Sequence, residues 1–196
     1  TRGMMLAQLP DCILSYWRPV IGDPGWQGWA TVLLYLLTSL LALRVVIRGD
    51  FPAQTRRRER AFWLMIALLM AALAVNKQLD LQSALTALGR CLARAQGWYN
   101  ERRYVQLAFL IALAGLALVF LLGVLAQMRG SLRRSAVPAI GLAFTCGFVL
   151  MRAVGFHHFD RMLGVPVMSL RANTVLEWTG PVLILLSAVW LTRSRR

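Results

Sequence analysis

The sequence predicts an all-α integral membrane protein, a bundle of about five transmembrane helices with an amphipathic N-terminal segment at the outer interface. Three observations predict it. Hydrophobic residues make up 58% of the 196 and charged residues only 15%, too apolar a balance for a soluble domain of this length. The apolar residues gather into stretches separated by short polar connections. Arginines cluster beside those stretches instead of spreading along the chain, as topology signals do. That placement also disposes of the reading a formal charge of +14 would otherwise invite: no nucleic acid is expected as a partner.

Residues 1–27 form the interfacial segment and residues 28–196 the transmembrane domain. No cleavable signal is expected at the start, where a short apolar patch runs into Pro10 and Asp11. Ile13, Leu14, Tyr16, Trp17, Val20, Ile21, Trp26 and Trp29, broken by Pro10, Pro19 and Pro24, read as an interfacial helix or hairpin with aromatic anchors.

A hydrocarbon core about 30 Å thick requires about 20 helical residues. Apolar runs at 28–47 and 107–128 meet that length directly, whereas those at 61–75, 136–151 and 178–192 fall short. Each short run must continue through polar residues, at 76–80, 152–156 and 173–177, which carries polar groups into the membrane. The expected spans are therefore about 28–47, 61–80, 104–128, 136–156 and 174–192. Leu79, Leu81, Leu85, Leu88 and Leu92 extend the second helix to about Gly97, where a Gly-Trp-Tyr-Asn run breaks it.

Charge sets the orientation. Arg44, Arg48, Arg56, Arg57, Arg58 and Arg60 flank the first connection, Arg129, Arg133 and Arg134 the third, and Arg193, Arg195 and Arg196 the tail; these twelve meet only Asp50 and Glu59. The remaining ten basic residues are offset by six acids. Positive charge marks the cytoplasmic side, so the chain is expected in the plasma (inner) membrane with its N-terminus outside and its C-terminus inside. Cys12 and Cys91 then share the oxidising side, where they are either disulfide-bonded or two free thiols. Cys146 lies mid-span as a small packing residue.

On the same outer side the polar residues that do not belong in lipid converge. Asn76, Lys77 and Asp80, three and four residues apart, share one side of a helix; they are either an intrahelical pair with Lys77 snorkelling or a site wall with Asp80 as proton acceptor or cation ligand. Glu101, Arg102 and Arg103 precede a span, as interfacial anchors or as a bidentate grip on phosphate or carboxylate. His157 and Asp160 share a helical face while His158 points away. They suggest a carboxylate-oriented general base, or half of a divalent metal site completed elsewhere; otherwise they are a polar helix end at the headgroups. Arg152 requires a partner, for which Glu177 is preferred over Asp80. Glu177 has a structural alternative, because Thr174-Val-Leu-Glu177 fits a capping box. Gly180-Pro181 beyond it loosens that helix and frees carbonyls.

Arg152 to His158 is similar in its Arg-x5-His spacing to one element of the membrane phosphatases related to type 2 phosphatidic acid phosphatases. The likeness stops at that fragment: the Asp four residues after the His and a Pro-Ser-Gly-His segment are absent. Dinucleotide, Walker and Gly-x-Ser-x-Gly motifs are absent too.

The expected function is hydrolysis or group transfer on a lipid or lipid-linked anionic substrate. His157 or His158 serves as acid/base, Asp160 or Asp80 orients it, and Arg102, Arg103 and Arg152 hold the anion. The alternative is an accessory subunit or ligand sensor pairing with another membrane protein or a lipid headgroup. A small transporter is third, weakened by the lack of inverted repeats.

Overall fold

On the first long helix the large aliphatic side chains face outward and small or polar ones inward, the reverse of a helix in a water-soluble bundle. On the helix Trp26–Arg48 the buried residues are Gly28, Thr31, Tyr35, Thr38, Ala42 and Val45, a strict alternation of three and four that makes one seam. The opposite face carries Leu33, Leu36, Leu40, Leu43 and Ile47, with Leu40 63% exposed. Small residues at the seam let backbones approach, and leucines meet lipid as readily as protein. In water such a face would be an aggregation site.

The computed structural model describes residues 8–97, 102–127, 130, 132–154, 166–167 and 170–193. In chain order they form α1 (Leu9–Tyr16), α2 (Trp26–Arg48), α3 (Arg56–Leu79), α4 (Leu81–Ala95), α5 (Arg102–Gln127), α6 (Leu132–Val154), a two-residue pairing of β1 (Pro166–Val167) with β2 (Leu170–Arg171), and α7 (Ala172–Arg193). The described residues are thus all-helical but for that small antiparallel contact. Three helices, α2, α3 and residues 173–193 of α7, are long and apolar enough to cross a membrane; α5 and α6 contribute the shorter apolar stretches Ile111–Val124 and Arg134–Leu150.

The centre is an α2–α3 hairpin against which α7 lies, with α6 behind α7 and α5 on α6. Ala42, Val45, Ile66, Met70, Leu142, Ile184 and Ala188 are fully buried there. Polar side chains add interhelical bonds: Ser39 Oγ donates to the Ala67 carbonyl of α3 at 2.8 Å, and Thr38 Oγ1 reaches the Pro181 carbonyl of α7 at 3.4 Å. Where α6 crosses α7 the contact is backbone to backbone. A Cβ on Gly180 would stand 2.6 Å from the Gly141 carbonyl, so no larger residue fits. At the start of α3, Thr55 Oγ1 donates to the buried Glu59 carboxylate at 2.7 Å, an acid placed where the helix dipole favours it.

Two expectations about helix course need correction. The second helix does not run unbroken to Gly97: Asp80 adopts the left-handed conformation, φ +47°, and divides α3 from α4. Asp tolerates that conformation better than most side chains, and its carboxylate accepts a hydrogen bond from Ser83 Oγ at 2.6 Å. The end near Gly97 is as expected, with that glycine at φ +82°. Thr174 and Glu177 do not form a capping box either. The helix starts earlier, at Ala172, so both lie inside it and their side chains turn to other helices. Pro181 is accommodated within the same continuous helix, where it can give the Glu177 carbonyl no i+4 donor.

The break at Asp80 leaves the last carbonyls of α3 without helical partners. The N-terminal segment satisfies them. Gly22 N–H donates to the Gln78 carbonyl at 2.7 Å and Trp17 Nε1 to the Leu79 carbonyl at 3.0 Å. α1 lies along α4, joined by a Cys12–Cys91 disulfide and by the Tyr16 ring, with the Arg90 and Arg94 guanidinium groups 4.9 and 5.3 Å from its centroid. Of the two states left open for those cysteines, the bridged one is found.

Candidate functional site

The start of α2, the end of α3 and the start of α7 enclose a chamber of about 530 Å³, roofed by the N-terminal segment at Gly22 and Asp23. Lys77 is its central charge. Its Nζ lies 3.0 Å from Glu177 Oε2 and 3.4 Å from Asp23 Oδ2. Tyr35 OH donates to the other Glu177 oxygen at 3.3 Å. The Lys77 and Glu177 side chains are 14% and 6% exposed, Asp23 43%, so the pair is buried and opens to the outside on the Asp23 side. Burial of this kind is tolerable because each charge is paired and hydrogen-bonded.

The surrounding polar groups are fixed by one another. Trp178 Nε1 donates to Thr31 Oγ1 at 2.7 Å, Thr31 Oγ1 donates to the Gln27 carbonyl at 2.8 Å, and Thr174 Oγ1 donates to Gln27 Oε1 at 3.4 Å. Gly28 admits Asp23: a Cβ there would stand 2.5 Å from the Asp23 Cγ. Beside Lys77, Gln78 Nε2 reaches the Asp23 carbonyl at 3.5 Å, and its buried Oε1 has no donor among the described residues. A buried acceptor in that state costs about 1–3 kcal/mol.

Of the residues the sequence singles out, the structure brings Asn76, Lys77, Asp80 and Glu177 to one chamber wall. It changes their partners. Lys77 is not paired along its helix with Asp80 but across the bundle with Glu177 and Asp23, and Glu177, expected opposite Arg152, is held by Lys77 and Tyr35. Arg152 falls in the last turn of α6, and Arg102 and Arg103 begin α5; their side chains lie outside the described residues. Glu101, His157, His158 and Asp160 lie outside them too, and with them the metal site suggested for His157 and Asp160. Among the described residues no group of three His, Cys, Asp or Glu could hold a metal ion.

Asp23, Gln27, Thr31, Tyr35 and Trp178 are site residues that sequence reasoning passed over. For Thr31 and Tyr35 a signal existed, in the spacing of non-aliphatic residues along 28–45. For Asp23 none did, because nothing local ties a proline-rich segment to the end of a helix more than fifty residues on.

The described wall carries three carboxylates, Asp23, Asp80 and Glu177, against the single ammonium of Lys77. Among the described residues that line it, none is a Ser or Cys. No family model, curated protein or solved structure matches this chain.

Proposed function

We propose that this chain is a five-span protein of the plasma (inner) membrane, with its N-terminus outside and its C-terminus in the cytoplasm. In this reading the outward-facing chamber binds the polar head of a lipid or lipid-linked molecule, as a sensor or an accessory subunit of a membrane complex. The carrying observation is Lys77, 14% exposed between two carboxylates in a chamber of about 530 Å³. Ionisable groups are kept at such depth where they meet a ligand or a partner.

The apolar stretches of α5 and α6 support two further crossings, which make the total odd and put the termini on opposite sides. The arginine distribution and the Cys12–Cys91 bridge support the direction, since disulfides persist on the oxidising side. The acidic balance of the described wall favours a head bearing an amine or hydroxyls over the anionic group expected from the arginines.

Native mass spectrometry of the detergent-purified chain, titrated with phosphatidylethanolamine, tests this. The amine-bearing lipid is expected to bind and to be lost in Glu177→Gln and Asp80→Asn. Unchanged binding in both variants would sink the proposal.

A second reading, hydrolysis or group transfer, draws on one observation. Phe148 and Val149 of α6 are in the chamber wall, and the described part of that helix runs to Val154, three residues before His157 in the chain. His157 or His158 would be the acid/base and Asp80 or Asp160 its orienting carboxylate. Under this reading His157→Ala keeps lipid binding and abolishes turnover; under the first it changes neither.

A further inference from the structure

At the end of the bundle opposite the chamber a second concavity, about 660 Å³, opens between the last turns of α2 and the first of α3. Arg44 and Arg48 line it from α2 and Arg56 and Arg60 from α3. Each pair is one helical turn apart, so both guanidinium groups of a pair can address the same space. Asp50 is the one acid among the described lining residues. Arg56 gives its Nε to the Phe51 carbonyl at 3.4 Å. Among the described residues the lining therefore sets four guanidinium groups against a single carboxylate, an excess of positive charge that Asp50 alone does not offset. Like charges gathered round a concavity repel unless an anion sits among them, and guanidinium geometry suits the paired oxygens of a phosphate.

Topology sorting alone accounts for arginines in this connection but not for their convergence. Arg57 and Arg58 satisfy the sorting rule and stay out of the lining. Directly below the cavity, on the same helix, Leu40, Leu43 and Ile47 are 63%, 40% and 67% exposed, an apolar track leading away from the charged mouth.

We infer that this cavity binds the phosphodiester of an anionic phospholipid, whose acyl chains lie along Leu40, Leu43 and Ile47. The inference requires α2 and α3 to cross the membrane; it is independent of the ligand proposed for the chamber.

The test is native mass spectrometry of the full chain in detergent, titrated with phosphatidylglycerol or phosphatidylcholine. Wild type is compared with R44Q/R60Q and with R57Q/R58Q, which removes the same charge outside the cavity. Phosphatidylglycerol binding is expected to weaken about tenfold or more in R44Q/R60Q and to stay unchanged in R57Q/R58Q, with weak phosphatidylcholine binding throughout. Full retention in R44Q/R60Q, or equal loss in both double variants, overturns the site. Inorganic phosphate displacing the lipid as effectively as phosphatidylglycerol itself marks a free-anion site and overturns the lipid assignment. Should R44Q/R60Q not fold, R44Q and R60Q singly are each expected to weaken binding severalfold, and no weakening in either overturns the site equally.

Discussion

At one end of the bundle an ammonium sits between two carboxylates, drawn from the roof and from α7, with a tyrosine hydroxyl on the deeper one. At the other, four exposed guanidinium groups from two helices surround a space whose lining contributes one acid. The first arrangement pairs its one ammonium with carboxylates from two other elements and so holds those elements together, with an acidic excess left over; the second gathers like charges, and therefore waits for something from outside the chain. Charge that is compensated internally is structural first and available to a ligand second. Charge left uncompensated costs the fold little, because it is solvated, and is available to a ligand first.

The comparison breaks most visibly at Glu177. Glu177→Ala leaves Lys77 buried with only the half-exposed Asp23, and a loss of about 3–5 kcal/mol is expected, read as a lower unfolding midpoint in detergent. Lys77→Met combined with Glu177→Leu should recover most of that loss, since removing both charges removes the desolvation with them; no recovery would mean the pair is not what links α3 to α7. Next in size, Cys12→Ser with Cys91→Ser opens a bridge across 79 residues and should lower stability by about 2–4 kcal/mol. Reduction of the wild type should reproduce that shift. Tyr35→Phe removes one hydrogen bond to a charged group and should cost about 1.5–3 kcal/mol at most. The smallest effect belongs to the arginine end, where Arg44→Gln and Arg60→Gln should each change stability in lipid-free detergent by no more than about 0.5 kcal/mol. A large loss there would show those side chains bracing the fold, and the contrast between the ends would disappear.

Much of this was legible in the residues. Both long apolar runs are helices, and α3 carries on through Asn76 and Lys77 as its short apolar stretch required. The gathering of Asn76, Lys77, Asp80 and Glu177 on one wall followed from where hydrophobic length ran out. Their partners were not legible. Local spacing offered Asp80 to Lys77, and only the crossing of helices a hundred residues apart offers Glu177. The capping pattern at Thr174 was a sound local signal outcompeted by tertiary contacts, because the helix begins before it and Gln27 takes the hydroxyl. The break at Asp80 was hidden for a related reason: the leucine repeat runs straight through it, and the acceptors it frees are met by a segment more than fifty residues earlier. Asp23 could not be found at all without that segment in place.

The bridge between Cys12 and Cys91 encloses both α2 and α3, and with α2 and α3 as spans its two sulfurs lie on one side of the bilayer only after the nascent chain has passed across and returned. Oxidation therefore dates an event in biogenesis: it can occur only once that double passage is complete and α4 has emerged. In a pulse-chase experiment the oxidised form should lag synthesis of residue 91, and an engineered delay in inserting α3 should lengthen the lag by the same interval.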